Sequence, residues 1–390
     1  MEVQVELAGT EVEIVWRGRR ARAFVPQLLA ERDLELDART AGRTAAAASE
    51  VAFAAEALDP DYEPLARLLL RSEGVASSFI EGVRAPVVDV VLAEEHIGRQ
   101  ELGPAAWVAS NLAAVAEAVA SAGAGARLSV ETLCEWHRTL MTGSPTPERY
   151  VGVVRDEQGW IGGTSPLDAT LVTPPPAALP RLLDDLVAYG NREDADPVAQ
   201  AAIAHAQFEN IHPFGDGNGR VGRVLVAWIL TRRLGLLVPP PVSVAIAADV
   251  GGYGSGLTLF RLGDHLRWVS WFADAVAQGG KAQRSLAGWV EELRSQWLSR
   301  VEDADARKPR RDAALFDVLD LMPRHLVFTT PILERELGIS RKAAGETLRR
   351  LAAVGILTEN GVVPPAGAGQ PAALYVSREL LGLAGASALR

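Results

Sequence analysis

The sequence predicts a mainly α-helical protein, and three observations carry that prediction. Alanine-rich runs without Gly or Pro, such as residues 43–58, favour helix strongly. Apolar residues recur at helical spacing from Leu65 to Ile80, with Gly82 and Pro86 just beyond as stop signals. Asp196-Pro197 is an acidic N-cap followed by proline, which is typical of a helix start. A length of 390 residues suggests two or three domains.

Other stretches predict short strands and irregular loops between the helices. Alternating polar and apolar residues at positions 2–26 predict one or two strands. Residues 143–176 are rich in Gly, Pro and Thr, which indicates a loop that contains a hairpin. A Pro-rich and Gly-rich connection is expected at 239–256, followed by helices that continue to Arg300.

Composition excludes several classes of protein. Apolar residues make up 48% and charged residues 23% of the chain, the balance of a folded protein rather than a disordered one. The longest apolar run, Val224 to Leu230, is too short to cross a bilayer. A net charge of −10 argues against coating of the whole molecule by nucleic acid. The single cysteine, Cys134, excludes an internal disulfide framework, so we expect a cytoplasmic protein with no membrane partner.

Residues 212–223 read HPFGDGNGRVGR and lie between two predicted helices. Gly215, Gly217 and Gly219 let the backbone turn tightly and approach a ligand closely. The loop leads into a helix N-terminus, where free N–H groups and the helix dipole attract phosphate. The spacing therefore predicts a site for a polyanion such as a nucleotide.

The charged residues of this loop have chemistry that fits such a site. Arg220 and Arg223 are three apart, so they share a helix face and can clamp one polyanion. Asp216 offers a hard oxygen suited to Mg²⁺, and His212 can take a proton from a hydroxyl near neutral pH. Phe214 is apolar within a polar loop and is expected to anchor the turn in the core.

The loop resembles the signature of the Fic domain family, H-P-F-x-[D/E]-G-N-G-R-x-x-R. Every fixed position is met, by His212, Pro213, Phe214, Asp216, Gly217, Asn218, Gly219, Arg220 and Arg223. The resemblance covers most of residues 40–280 and implies a Fic-fold helical core with a short β-hairpin flap. It implies transfer of AMP from ATP to a hydroxyl side chain of a target protein (Ser, Thr or Tyr) or of the chain itself.

The resemblance also implies roles for the residues of the loop. His212 would be the general base and Asp216 the Mg²⁺ ligand, with ATP and Mg²⁺ as cofactors. The nucleotide would be held by Phe214, Gly215, Gly217, Asn218, Gly219, Arg220 and Arg223, with Arg223 on the γ-phosphate. Relatives often have paired tyrosines where this chain has Gly252-Tyr253-Gly254, so only Tyr253 is left to contact the nucleotide base.

Two further segments resemble parts of Fic proteins. Trp160, Ile161, Gly162 and Gly163 stand where the family has the flap that aligns the target segment. Residues 77–82, SSFIEG, fit the inhibitory-helix pattern [S/T]-x-x-x-E-[G/N] through Ser77, Glu81 and Gly82. A salt bridge from Glu81 to Arg223 would then occupy the place of the ATP γ-phosphate. Removal of AMP by the same site, with Glu81 orienting a water, is left open.

The C-terminal residues 312–390 resemble a winged helix-turn-helix, with three helices followed by a short strand pair and a Gly/Pro-rich wing. Residues 307–350 carry ten Lys or Arg against six acids, a net charge of +4. Contact with DNA through Arg341, Lys342, Arg349 or Arg350 is one hypothesis, and contact with a protein is the other.

The predicted domains are an N-terminal region with the inhibitory helix (1–100), a Fic core (101–300), a linker (301–311) and the winged helix (312–390). An autoinhibited, Mg-ATP-dependent protein adenylyltransferase is the first functional hypothesis. The alternative is a DNA-binding transcriptional regulator that uses the Fic core as a nucleotide sensor. The intact His212 favours the enzyme, and the sequence leaves a homodimer open.

Overall fold

The computed structural model describes residues 9–58, 63–95, 103–304, 314–363 and 371–389, and 64% of the structure is helix. The prediction of a mainly α-helical protein is confirmed. The helices are α1 Ala38–Glu56, α2 Glu63–Ile80, α3 Val87–Glu94, α4 Pro104–Gly123, α5 Val130–Leu140, α6 Leu179–Gly190, α7 Pro197–Ile211, α8 Asn218–Leu234, α9 Val242–Ala248, α10 Val250–Arg261, α11 His265–Ala304, α12 Ala314–His325, α13 Thr330–Leu337, α14 Arg341–Ala353 and α15 Arg378–Leu389.

Strands are few and short, and they form three small sheets in the described residues. The strands are β1 Gly9–Trp16, β2 Arg19–Pro26, β3 Trp160–Ile161, β4 Leu171–Val172, β5 Val327–Phe328, β6 Thr358–Val363 and β7 Ala372–Val376. The pairs β1–β2 and β3–β4 are antiparallel hairpins, and the third sheet has the order β5-β7-β6. The short hairpins expected from the N-terminal alternation and from the Gly-rich loop are therefore present.

Helices α7 and α8 form the centre of the molecule, and the loop that joins them carries the HPFGDGNGRVGR motif. Both helices are buried on nearly all sides because α4, α5, α6 and α11 pack around them. Their composition suits this position, since small alanines in α7 allow close packing and Trp228 in α8 fills the core. Both ends of the loop are thus held by rigid elements.

Helix α4 is long and apolar enough to cross a membrane by length and composition alone. In the structure it packs against α2, α3, α5 and α8. A core helix of a folded protein passes the same test, so this feature adds no membrane prediction.

The connection expected at 239–256 is wrong in part, because it contains α9 and the start of α10. Tertiary packing overrides the low helix propensity of its glycines. A Cβ at Gly256 would come within 2.6 Å of the Trp268 ring, so the absent side chain lets α10 approach α11.

The C-terminal residues follow the order α12, β5, α13, α14, β6, β7 and α15. The two-residue strand β5 was not predicted, and it pairs with β7 as part of the three-stranded sheet. The predicted linker lies largely outside the described residues, as does the Gly/Pro-rich wing at 364–370. Helices α12 and α15 both pack against α2.

Helix α2 is fixed by buried polar contacts on three sides. Its Glu73 accepts hydrogen bonds from the backbone N–H (2.8 Å) and the hydroxyl of Ser243 in α9. Asn111 of α4 donates to the carbonyl of Gly74 (2.9 Å). Arg71 donates to the carbonyl of Arg324 in α12 (3.0 Å). These contacts set the position of the C-terminal end of α2, where Ser77 and Glu81 lie.

Candidate active site

The motif loop begins with His212, which ends α7 in the left-handed conformation (φ 49°). A non-glycine residue in this region is uncommon, and His212 is one of three among the described residues. Gly217 then adopts φ 74° just before α8, and a Cβ there would meet Met141 Sδ at 2.9 Å. The left-handed residue at each end of the loop, costly for His212 and free of steric cost for Gly217, aims the intervening residues at the start of α8.

Side-chain hydrogen bonds hold the loop in this shape. Asn218 Oδ1 accepts from the N–H of Phe214 (2.9 Å) and Asn218 Nδ2 donates to its carbonyl (2.8 Å). Phe214 is 2% exposed and stacks on His137 at 4.0 Å, which places it in the core as predicted. The Asn218 side chain therefore closes the loop and is not available to a ligand. The backbone N–H of Asn218, at the start of α8, is the group of this residue that can bind an anion.

His137 supports the loop from α5. Its Nδ1 accepts a hydrogen bond from the N–H of Gly152 (2.8 Å), so its Nε2 donates to the carbonyl of Asp216 (3.1 Å). Burial lowers the pKa of His137 to about 4, which keeps the ring neutral and preserves this tautomer at physiological pH. His137 is fully buried, so it belongs to the core that supports the loop.

His212 lines a cleft of about 410 Å³ between the motif loop and the hairpin β3–β4. Its carbonyl accepts a hydrogen bond from Arg155 Nε (2.8 Å). Its Nδ1 is buried and makes no hydrogen bond of normal geometry in the described part of the chain, although the backbone of Glu209 interacts with the ring. Burial and the charge of Arg155 lower the pKa of His212 to about 4, so the ring is neutral and able to accept a proton at pH 7.

Asp216 is exposed at the tip of the loop. Its Oδ1 accepts from the N–H of Gly217 (2.7 Å), and its Oδ2 lies 3.4 Å from the Thr146 hydroxyl. Among the described residues no group of three or more His, Cys, Asp or Glu side chains could hold a metal ion. A single exposed carboxylate still suits Mg²⁺, because that ion usually binds one or two carboxylates together with substrate phosphates.

The start of α8 presents buried cations beside free backbone N–H groups. Arg220 is 6% exposed, and its Nε has no hydrogen-bond partner in the residues that are described. Arg223 is 2% exposed and its Nη1 is likewise without a partner there. Unpaired buried donors are rare because their desolvation is not compensated. Together with the helix N-terminus they form an arrangement that can bind a phosphate group.

Glu81 and Ser77 of the α2 end contact this arrangement directly. Arg223 Nη2 donates to Glu81 Oε1 (2.7 Å) and to the carbonyl of Ser77 (2.9 Å), and Arg223 Nε donates to the Ser77 hydroxyl (2.9 Å). Burial by itself lowers the pKa of Arg223, but the Glu81 carboxylate raises it overall. A Cβ on Gly219 would overlap Glu81 Oε1, so the carboxylate sits directly over the first turn of α8.

Gly82 follows with φ 76°, the left-handed conformation that ends the turn after α2. The structure thus brings Ser77 and Glu81 of the SSFIEG pattern into contact with the motif residues, which are more than 130 positions away in the sequence.

The hairpin β3–β4 forms the other wall of the cleft. Trp160 pairs with Val172 and Ile161 with Leu171, and Ile161 is 36% exposed. The Trp160 ring contacts Trp16 of β1 at 5.3 Å, so the N-terminal hairpin supports this wall.

The tip of that hairpin depends on two glycines. Gly162 and Gly163 have φ near +70°, and a Cβ on either one would come within 2.6 Å of Thr170 or Asp168. The segment expected to align a target chain is therefore a tight hairpin with an exposed edge.

Tyr253 lies on α10 and is 8% exposed, among Trp268 and Trp271. Its hydroxyl lies 2.8 Å from His205 Nε2, and burial raises its pKa. In this position the hydroxyl is engaged within the core. Contact of Tyr253 with a nucleotide base stays a prediction.

Arg155 is the main site residue that the sequence reasoning missed. It is 6% exposed and donates to the carbonyls of His212, Glu157 and Pro174 and to the Thr173 hydroxyl, all within 2.9 Å. It ties the hairpin base to the motif loop, and burial lowers its pKa to about 10. A lone arginine within a loop gives no sequence signal for this role.

Glu209 is the second missed residue. It lies one helical turn before His212, and its Oε2 is 3.9 Å from His212 Nδ1. Burial, together with the negative charge of Glu81, raises its pKa to about 8. The spacing of a glutamate three positions before a histidine on a predicted helix could have indicated this pair.

Comparison with known proteins agrees with this geometry. Residues 127–230 match the Fic/DOC family. The chain carries a Fic/DOC region at its centre. It is 31% identical over 157 residues to protein adenylyltransferase fic-1 of Caenorhabditis elegans, covering 39% of this chain and 28% of that protein. It is 33% identical over 152 residues to protein adenylyltransferase Fic of Drosophila melanogaster, covering 38% of this chain and 28% of that protein. The matched region thus spans less than a third of these relatives.

Solved structures show the same fold. A Fic family protein from Desulfovibrio desulfuricans G20 superposes with a TM-score of 0.52 at 20% identity, covering 88% of this chain and 97% of that one. A Fic domain containing signaling protein from Bacteroides thetaiotaomicron gives a TM-score of 0.51 at 19% identity, covering 63% and 97%. The Fic fold predicted from the motif is confirmed by these neighbours.

Proposed function

We propose that this chain is an autoinhibited protein adenylyltransferase that transfers AMP from Mg-ATP to a protein hydroxyl. The observation that supports this most is the loop itself, which places a neutral, cleft-facing His212 next to a helix N-terminus with buried, unpaired donors of Arg220 and Arg223. The similarity to protein adenylyltransferases over the Fic/DOC region supports the same reaction.

In the proposed reaction the target hydroxyl enters the cleft along the exposed edge of β3–β4. His212 Nε2 takes the hydroxyl proton while the oxygen attacks the α-phosphorus. The bond from oxygen to the α-phosphorus forms, and the bond from the α-phosphorus to the bridging oxygen breaks, so pyrophosphate leaves. Arg220, Arg223 and the N–H groups of α8 bind the phosphate oxygens and stabilise their charge. Mg²⁺ held by Asp216 and the phosphates would neutralise charge on the leaving pyrophosphate.

Autoinhibition is the second part of the proposal. Glu81 occupies Arg223 and covers Gly219, the place where the terminal phosphate would bind. A carboxylate and a phosphate cannot share this guanidinium without strong repulsion, so ATP would bind in a pose unsuited to transfer. A purely structural salt bridge is the competing explanation, and the variant below separates the two.

The test uses the full chain and its Glu81→Gly variant with Mg²⁺ and ATP labelled in the α-phosphate. We expect the variant to attach AMP to itself or to added proteins at least about tenfold faster than wild type, because the block on Arg223 is gone. Glu56→Gly, an exposed glutamate at the end of α1, is the matched control and should behave as wild type.

Failure of both proteins to transfer label would overturn the adenylyltransferase proposal. Binding of ATP without transfer in the Glu81→Gly variant would instead favour the nucleotide-sensor alternative. A protein that already carries labelled AMP can also be incubated with either form. Loss of its label with the wild type, and not with Glu81→Gly, would support AMP removal by the same site.

A second candidate function is DNA contact through a winged helix at the C-terminus. The order α12, β5, α13, α14, β6, β7 supports that architecture, with α14 in the recognition position. Helix α14 exposes Arg341, Lys342, Arg349 and Arg350 against one exposed acid, Glu346. Of the other six cations of residues 307–350, Arg324 and Arg335 belong to α12 and α13, and the remaining four lie outside the described residues.

Gel retardation at low salt tests this contact. We expect binding of duplex DNA that weakens as salt rises and is lost in the double variant Arg341→Glu and Lys342→Glu. The double variant Arg19→Glu and Arg20→Glu in the N-terminal hairpin makes the same change in net charge and is the control. Absence of retardation by wild type at low salt would leave protein contact as the role of this face.

A further inference from the structure

Two buried polar atoms lie next to the catalytic loop, and neither makes a hydrogen bond of normal geometry among the described residues. One is Nδ1 of His212 and the other is Oε1 of Glu209. The backbone of Glu209 also interacts with the His212 ring and raises its pKa, against the larger effect of burial. Glu209 is 12% exposed at the end of α7, and its other oxygen, Oε2, lies 3.9 Å from Nδ1. Buried polar groups without hydrogen bonds destabilise a fold. The presence of two such groups side by side, on His212 and Glu209, therefore indicates that they have a function.

The space for the Glu209 carboxylate is made by Gly222 of α8. A Cβ at that position would come within 3.0 Å of Glu209 Oε1 and within 2.8 Å of His205 Nδ1. The carboxylate thus fits between two helices because residue 222 has no side chain. This is a built position rather than a surface glutamate that happens to point inward.

Several charged and titratable groups surround this carboxylate. Glu81 from the α2 end and Arg223 from α8 act on it with opposite signs. Tyr253 of α10 and His205 of α7, the helix that also carries Glu209, lie beside this carboxylate. Burial has the largest effect and raises the pKa of Glu209 to about 8, so its ionisation falls in an accessible pH range.

We propose that Glu209 is a positioning residue that accepts a hydrogen bond from Nδ1–H of His212 and so leaves Nε2 free to take the proton of the target hydroxyl. This inference rests on the adenylyltransferase function proposed above. The proton moves from the hydroxyl to Nε2, and the charge of the resulting imidazolium is balanced by the Glu209 carboxylate, which takes up no proton itself. Hydrogen bonds of this kind are often long before substrate binds and shorten in the reactive complex. A carboxylate that orients a catalytic imidazole is a recurring arrangement in enzymes.

The experiment places Glu209→Gln and Glu209→Leu in the Glu81→Gly background. We expect the maximal rate of AMP transfer to fall about tenfold for Gln and further for Leu, with the KM for ATP unchanged, because the phosphate site is untouched. The rate of the parent should rise with pH as Glu209 ionises, at a lower pH than in the wild type because the Glu81 charge that raises the pKa of Glu209 is absent, and both substitutions should abolish that rise. Glu135→Gln, an exposed glutamate of α5, is the control.

Nitrogen NMR of His212 gives a readout independent of activity. The parent should show the Nδ1–H tautomer once Glu209 is ionised, and the Leu variant should lose that preference. Equal rates, equal pH profiles and the same tautomer in all three proteins would overturn the role of Glu209. Glu209→Gln keeps the shape of the side chain, so the test holds even if the Leu variant fails to fold. An inactive Glu81→Gly parent would count against the proposed function, whereas the NMR result would still decide the contact.

Discussion

The two ends of the loop between α7 and α8 differ in what covers them. At the α8 end, Gly219 and Arg223 lie under Glu81, a residue of another segment, and Arg223 is 2% exposed. At the α7 end, His212 and Asp216 line an open cleft of about 410 Å³ whose far wall is the hairpin β3–β4. One end is closed by a carboxylate and the other is open to a partner.

This difference indicates how such a site can be inhibited while the positions of its other residues stay unchanged. The base, the loop and the hairpin are held by buried hydrogen bonds that Glu81 does not touch, so the chemical half of the site is preformed. Under the proposed function, Glu81 blocks only the phosphate half. Removal of one side chain should therefore release activity without a rearrangement of the fold.

The largest effect is expected at the open end. His212→Ala in the Glu81→Gly background should lower AMP transfer by roughly 10²–10⁴-fold, the usual loss for a general base, while ATP binding persists. Label incorporation and calorimetric titration with ATP measure the two properties. His265→Ala, on the distant helix α11, is the control. Transfer at the parental rate would remove His212 from the mechanism.

The next largest effect is expected at Arg155, which joins the open end to the hairpin. Arg155→Lys keeps the charge but cannot reach the same acceptors, because lysine lacks the planar fork of donors. We expect about tenfold slower transfer and a loss of roughly 2 kcal/mol in unfolding free energy. Denaturant unfolding and the transfer assay measure both, with the exposed Arg149→Lys as control. An unchanged rate would show that the hairpin base need not be fixed to the loop.

A smaller effect is expected at the closed end. Ser77→Ala removes one acceptor from Arg223 but leaves Glu81, so we expect only a few-fold gain in AMP transfer, below that of Glu81→Gly. The adjacent Ser78→Ala is the control, since Ser78 accepts from Asn111 and makes no contact with Arg223 among the described hydrogen bonds. A decrease instead of a gain would mean that Ser77 supports the active state.

The smallest effect on AMP transfer is expected at Glu95, whose contacts contribute to the stability of the fold instead. Glu95 accepts hydrogen bonds from His325 and Arg335, and although burial opposes ionisation, these partners lower its pKa to about 2. A lowered carboxyl pKa stabilises the fold above the unfolded value near 4.5 and loses that contribution as pH falls toward 2. Glu95→Gln should cost on the order of 1–3 kcal/mol at pH 7, and this cost, measured by denaturant unfolding, should shrink progressively as pH falls through about 4 toward 2. A pH-independent difference would contradict this account.

The sequence predicted the parts of the site whose residue types are tied to chemistry. The motif loop, the hairpin and the SSFIEG pattern could be found because Gly, His, Asp and Arg stand at fixed spacing. Arg155 could not be found, because its acceptors are carbonyls up to 57 positions away and carbonyls carry no sequence signal. The helix over Gly251–Gly256 was not predicted because glycine has a low helix propensity, and the rings of Trp271 and Trp268 that lie against Gly252 and Gly256 give no local sequence signal.

Gly219 sets a limit on how this chain can change. The same missing side chain gives room both to the carboxylate of Glu81 and to the phosphate that it would exclude. A side chain at position 219 would displace both the Glu81 carboxylate and the phosphate of the nucleotide. Under the proposed function, substitutions that relieve the inhibition should therefore occur at the end of α2. Residue 219 should stay glycine, because the Glu81 carboxylate and the phosphate both need the same space at different times.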